Sequence, residues 1–218
     1  MCGRYKVSTP GDELWESFDI HGDVPELVPR FNIAPTQPIA IIRTSHQLEF
    51  LRWGLQLPNL RGGGFNVRIE SLGASLYRDS VAGRRCLILA DGYYEWQIVS
   101  EHKSATKQPF LIQRVDGKPF AFAGIWDKAK LKSGEIVDAT AILTTTPRGV
   151  AAQVHDRMPL ILPTQARAAW LDPTTHYREL LEPDAEELEL VPVSTRVNSA
   201  KNDDPACAEP VALLELRS

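Results

Sequence analysis

The sequence predicts a β-rich α+β fold in one domain, a mixed sheet curled into a pseudo-barrel with flanking helices. Seven runs rich in β-branched and aromatic residues, bounded by turn residues, recur between Ile39 and Thr145. The helical patterns are short and lie before and after that block. With 218 residues, 43% apolar and 24% charged, the chain suits a single sizeable core and is too apolar for a disordered one.

Met1 to Val7 is short and polar and is assigned no element. Thr9 and Pro10 open a helix over residues 12–18, with a threonine cap, a proline in the first turn and acidic Asp12 and Glu13 near the start. Residues 25–38 read as a proline-punctuated loop. Strands follow at 39–43, 48–53, 85–90, 93–97, 109–115, 120–126 and 136–145. Between the second and third of these, Gly62-Gly63-Gly64 is a loop and not a phosphate cradle, because no Gly-Lys-Ser/Thr follows. Helical patterns appear at 147–154 and 164–171, with weaker ones at 177–181 and 184–188. A single domain is expected over residues 1–218, with a core to about residue 202 and an acidic C-terminal segment from about residue 176.

Composition excludes several classes. The apolar runs are far too short to span a bilayer, and no charged-then-apolar leader opens the chain, so a soluble, cytoplasmic protein is expected. Three cysteines are an odd count and do not make a disulfide framework. There is no Cys-x-x-Cys, no His-x-x-x-His and no acidic calcium loop, so neither metal nor other cofactor is expected. Gly-x-Ser-x-Gly and Gly-x-Gly-x-x-Gly are missing too. The net charge of −4 argues against a nucleic-acid coat protein, yet it hides a gradient. Residues 176–218 hold four basic and ten acidic side chains, whereas residues 30–85 hold eight arginines, three acids and no lysine. Arginine's planar fork suits phosphate, although scattered solvated side chains would give the same count.

The first residues, Met1-Cys2-Gly3-Arg4, carry a distinct chemistry. Removal of Met1 would leave Cys2 with an amine and a thiol on adjacent carbons, titrating near about 8 and 8.5. Arg4 would favour the thiolate. Such an aminothiol condenses with an aldehyde to an imine, and its sulfur then closes a five-membered thiazolidine in a favoured intramolecular step. The alternative is an incidental cysteine beside a retained methionine. Glu95 lies between Tyr94 and Trp96, where desolvation would raise its pKa into an acid/base range, unless it faces solvent. His155 could shuttle protons or hold a phosphate, or be structural. Trp53 and Trp96 could stack on bases or pack in the core.

Five further segments follow in order: Phe31-Asn32-Ile33-Ala34-Pro35, Arg52-Trp53-Gly54-Leu55, Asn66-Val67-Arg68-Ile69-Glu70, Ala90-Asp91-Gly92-Tyr93-Tyr94-Glu95-Trp96 and His155-Asp156-Arg157-Met158-Pro159. With the cysteine start, this ordered set resembles the SOS response-associated peptidase family, the abasic-site shield proteins, from Met1 to about Asn202. The resemblance implies a mixed α/β pseudo-barrel with a positively charged channel. It also implies a protein that removes its own Met1 and crosslinks through Cys2 to abasic sites in single-stranded DNA, with weak lyase-type chemistry. On that basis the catalytic set is Cys2, Asn66, Glu95 and His155. Arg4 and Arg68 would grip phosphates, Pro35 would act as a wedge, and Asn32, Trp53, Trp96 and Thr144 would line the DNA path. The expected partner is single-stranded DNA with abasic sites, bound by a monomer that is nucleoid-associated when engaged. Other readings are an N-terminal-nucleophile amidohydrolase, which also begins Met-Cys-Gly, a general peptidase, or a non-catalytic binder of modified DNA.

Overall fold

A computed structural model of the chain describes residues 2–22, 26–43, 47–57, 64–99, 107–181 and 187–213. Thirteen strands are described: β1 (Arg4–Val7), β2 (Arg30–Ile33), β3 (Pro38–Ile42), β4 (Leu48–Trp53), β5 (Asn66–Arg68), β6 (Arg85–Ala90), β7 (Gly92–Ile98), β8 (Lys107–Arg114), β9 (Phe120–Lys130), β10 (Ile136–Thr145), β11 (Met158–Pro159), β12 (Ile161–Leu162) and β13 (Leu188–Pro192). The helices are α1 (Gly11–Phe18), α2 (Arg78–Gly83) and α3 (Thr164–Leu171).

Five strands close a barrel. β3 lies between β4 and β6, β6 pairs with β9, β9 with β10, and β10 returns parallel to β4. Closure removes the sheet edges and buries apolar side chains on the inner face. β6, Arg85-Cys-Leu-Ile-Leu-Ala90, is buried at all six positions because α3 covers its outer side. The barrel wall is tight at Gly124, where an added Cβ would sit 2.8 Å from Cys86 Sγ and from Ile88 Cδ1. Glycine is therefore required there for packing.

The second sheet runs β13-β8-β7-β1-β2 and is antiparallel throughout. Tyr5 and Tyr93 face each other across β1 and β7, and both rings meet Phe122 edge-on at 5.7 and 6.1 Å, which seats one face of the sheet on the barrel. Its opposite face, through Tyr94 and Leu111, packs against Val193, Val197 and Cys207 from the chain's last segment.

The curled α+β architecture matches the sequence expectation, and strands 48–53, 85–90 and 136–145 and helix 164–171 have the expected bounds. Other segments differ for identifiable reasons. β1 and β2 are four-residue strands, too short for alternation to register, and β2 lies inside the supposed loop 25–38. β5 and β13 are likewise short, and α2 was also missed. Thr9 does not cap α1. Its hydroxyl and amide donate to Asp91 at 2.9 and 2.8 Å, joined there by Ser8, so the residue pins the loop after β1 to the start of β7. The helix expected at 147–154 shrinks to one 3-10 turn, Gly149–Gln153, which Gly149 opens at φ 54°. Leu188 begins β13, while residues 184–186, Gly62 and Gly63 lie outside the described residues.

Candidate active site

Cys2 sits just ahead of β1, and β1 pairs with β7, which carries Glu95. On the barrel side, β5 runs parallel to β10 and brings Asn66 opposite Ile142. The Asn66 side-chain amide then donates to the Cys2 carbonyl at 2.8 Å. His155 follows the 149–153 turn and precedes β11, which pairs with the end of β10. The N-terminus, one strand of each sheet and one loop therefore meet in one place.

Cys2 is wholly buried, and its thiol lies 3.7 Å from the Arg4 carbonyl. Burial pushes this thiol well above its ordinary range, and the negative charge of Glu95 adds in the same direction. Glu95 is 3% exposed; burial raises its carboxyl, while the charge of His155 opposes that rise. The sequence reading of Glu95 as a desolvated acid holds, and the solvent-face alternative does not. His155 is partly buried. Its Nδ1 accepts from the Arg157 amide at 3.0 Å, which in the neutral ring leaves the proton on Nε2. The Asp156 carboxylate lies 2.7 Å from the same nitrogen and would accept a hydrogen bond from it whenever that nitrogen carries a proton.

The candidate DNA contacts divide. Arg68 is exposed at the end of β5. Trp96 is half-buried, with Nε1 donating to Asn198 Oδ1 at 2.7 Å. Pro35 stands at a turn whose next residue, Thr36, holds φ 77°, a strained value for a β-branched side chain. That turn is fastened by Thr36 N to the Trp53 carbonyl and by Arg52 Nη1 to the Thr36 carbonyl, both at 2.8 Å. Arg4 is half-buried, and its guanidinium donates to Asn32 Oδ1, the Val197 carbonyl and the Asn198 carbonyl at 3.0, 2.7 and 3.3 Å. In this arrangement it holds the C-terminal segment.

Three expected DNA-lining residues are interior ones. Asn32 is 0% exposed, and its amide donates to the carbonyls of Val197, Ser199 and Asn202. Trp53 is also fully buried, edge-on to Tyr5 at 5.4 Å, with Nε1 donating to the Phe65 carbonyl; no face remains for a base. Thr144 is 0% exposed, with its hydroxyl on the Val67 carbonyl at 3.5 Å. Asn32 and Trp53 belong to motifs whose spacing reports fold as much as function. Conversely, Arg157 and Glu70 received no role from the sequence, although both lie in the quoted motifs, and they form a bidentate ion pair at 2.8 and 2.9 Å.

The other cysteines are packing groups. Cys86 is buried with its thiol pushed up to about 12, and Cys207, in the acidic C-terminal segment, is buried too. Among the described residues, no group of three or more His, Cys, Asp or Glu is placed to hold a metal ion, and no helix is long and apolar enough to cross a membrane.

Residues 1–200 match the family model described as SOS response associated peptidase (SRAP). The chain is 35% identical to the abasic site processing protein YoqW of Bacillus subtilis (strain 168), over 96% of this chain and 99% of that protein. It is 28% identical to the abasic site processing protein YedK of Escherichia coli (strain K12), over 97% and 100% respectively. Among solved structures, a protein from Bacteroides thetaiotaomicron shares the fold with a TM-score of 0.80 at 22% identity, covering 97% of this chain and 100% of that one.

Proposed function

Because the chain belongs to the SOS response associated peptidase family, we propose that it processes abasic sites in DNA, by forming a covalent link between Cys2 and the lesion once Met1 has been removed. One observation carries this reading: the Asn66 amide on the Cys2 carbonyl, beside a Glu95 whose negative charge raises the Cys2 thiol. Two relatives named abasic site processing proteins, matched over nearly their full lengths, support the choice of substrate.

An abasic sugar opens to an aldehyde when its C1′ hydroxyl gives up a proton, the C1′–O4′ bond breaks and O4′ takes up a proton, and Glu95 or His155 can exchange those protons. The Cys2 amine adds to the aldehyde carbon and water leaves, giving an imine. The Cys2 sulfur then adds to the imine carbon, its proton passing to nitrogen, and a thiazolidine ring closes. The raised Cys2 thiol fits this order, since a neutral thiol does not compete with the amine for the aldehyde. Loss of the 3′ phosphate from the imine by β-elimination would be a minor lyase side reaction. Single-stranded DNA is the expected form, with exposed Arg68 meeting its backbone.

Single-stranded DNA with one abasic site is incubated with the protein and resolved in SDS. An adduct with the mass of DNA plus the Met1-less chain less one water is expected, and none with Cys2→Ala. Equal adduct from wild type and Cys2→Ala would end the proposal.

A further inference from the structure

Arg157 is 9% exposed and its guanidinium joins three segments. Nη1 and Nη2 donate to the two Glu70 oxygens at 2.8 and 2.9 Å, and Nη2 also donates to the Thr144 carbonyl at 2.6 Å. Glu70 lies in the 3-10 turn Ile69–Ser71 that directly follows β5, the strand of Asn66. Thr144 is on β10 opposite Arg68. The same Arg157, through its main-chain amide, donates to His155 Nδ1 at 3.0 Å. One residue therefore fixes the His155 ring with its backbone and the Asn66 strand with its side chain.

We propose that the Glu70–Arg157 pair is a positioning brace that holds the His155 loop against the Asn66 strand and keeps the neutral His155 proton on Nε2. The inference rests on the proposed reaction for its catalytic consequence, but its structural half stands apart from it. A bidentate fork fixes orientation as well as distance, which a single-point contact does not. Asp156, 81% exposed and 2.7 Å from His155 Nδ1, is the competing partner. If the Arg157 amide drifts, Nδ1 loses its donor and the ring is released to either tautomer. The brace thus selects which nitrogen offers a proton to the reacting sugar. Glu70 is exposed over 55% of its side chain, while its partner is buried. The acid can therefore be exchanged with little disturbance to the core. Its carboxyl is held below the usual range by the Arg157 bond, so the pair stays charged through neutral pH.

The test uses the full chain labelled with 15N-histidine. Of five histidines, His155 is identified by the signal lost in His155→Asn. Wild type is expected to show an unprotonated Nδ1 in the neutral ring. Glu70→Ala is expected to show tautomer exchange at that nitrogen, and Glu70→Gln, which keeps one of the two acceptors, an intermediate pattern. At saturating abasic DNA, adduct formation should slow about tenfold or more in Glu70→Ala and less in Glu70→Gln. In a Cys2→Ala background, affinity for the same DNA should not change. An unaltered His155 pattern in Glu70→Ala overturns the brace. So does a loss of affinity with an unaltered saturating rate, which would make Glu70 a DNA contact. Should Glu70→Ala not fold, the same comparisons are decided on Glu70→Gln. Should wild type form no adduct, the proposed reaction fails while the NMR comparison still decides the brace.

Discussion

Asn66 and Cys2 are 64 residues apart in sequence, and a 2.8 Å hydrogen bond from the Asn66 amide to the Cys2 carbonyl joins barrel to N-terminus. The bond fixes the peptide that follows the Cys2 α-carbon and so aims both its amine and its sulfur. Asn66 Oδ1, buried and without a hydrogen-bond partner among the described residues, is the complementary acceptor for an amine N–H. Asn66→Asp keeps the shape but replaces the donor with a carboxylate facing a carbonyl. Adduct formation should fall about a hundredfold, measured as single-turnover crosslinking, while the stability lost by Asn66→Ala should be only about 1 kcal/mol.

Glu95 couples activity to stability in opposite senses. Burial raises its carboxyl, so the folded chain holds this proton more tightly than the unfolded one. The stabilisation from that proton is complete below the ordinary carboxylate value of about 4.3 and disappears as pH rises through the raised folded value. Glu95→Gln carries no ionisable proton and escapes this loss. Its melting temperature relative to wild type should therefore increase from pH 4 to pH 7, while its crosslinking rate falls about 100-fold or more. A constant difference across that range would show that Glu95 titrates as an ordinary surface acid.

Trp53 separates stability from binding. Trp53 is buried with its ring on Tyr5, so Trp53→Ala should cost about 3–5 kcal/mol in urea unfolding. Trp53→Phe loses chiefly the bond from Nε1 to the Phe65 carbonyl, about 1 kcal/mol, and should bind single-stranded DNA as wild type does. A specific loss of DNA affinity in Trp53→Phe at unchanged stability would mean that the indole reaches a base.

The barrel was legible because its strands are long enough to repeat: Ile136–Thr145 spans ten residues and Phe120–Lys130 eleven. The second sheet was half-hidden because β1, β2 and β13 contain four or five residues and draw their stability from cross-sheet burial rather than local propensity. At the site, the chemistry proposed for Cys2 and Glu95 could be argued from residue type and neighbours, whereas Asn66 entered only through the resemblance to the family. Thr144 and Trp53 were not legible, since a hydroxyl or an indole can serve either a ligand or the core, and only burial separates the two. Thr9 shows the same limit at smaller scale: a threonine before a helix was bound to Asp91, a residue more than eighty positions away.

Asn32 decides whether the C-terminal segment is part of the site. Its amide donates to the carbonyls of Val197, Ser199 and Asn202 at 3.2, 2.9 and 2.7 Å, while its oxygen accepts from Arg4 at 3.0 Å. Asp203 completes the clasp by accepting from the Phe31 and Asn32 amides. The segment thus reaches, through Arg4, to within two residues of Cys2. Asn32→Ala removes the amide shared by these three carbonyls and one of the three acceptors of the Arg4 guanidinium, and should cost about 3 kcal/mol. Asn32→Asp should be worse, because a carboxylate oxygen would face those same carbonyls. In a Cys2→Ala background, DNA affinity measured below the unfolding transition should be unchanged, since Asn32 exposes no surface. Crosslinking should slow as the N-terminal strand loosens, and hydrogen exchange at Tyr5 should quicken with it. A variant that kept its stability but lost DNA affinity would return Asn32 to the DNA path.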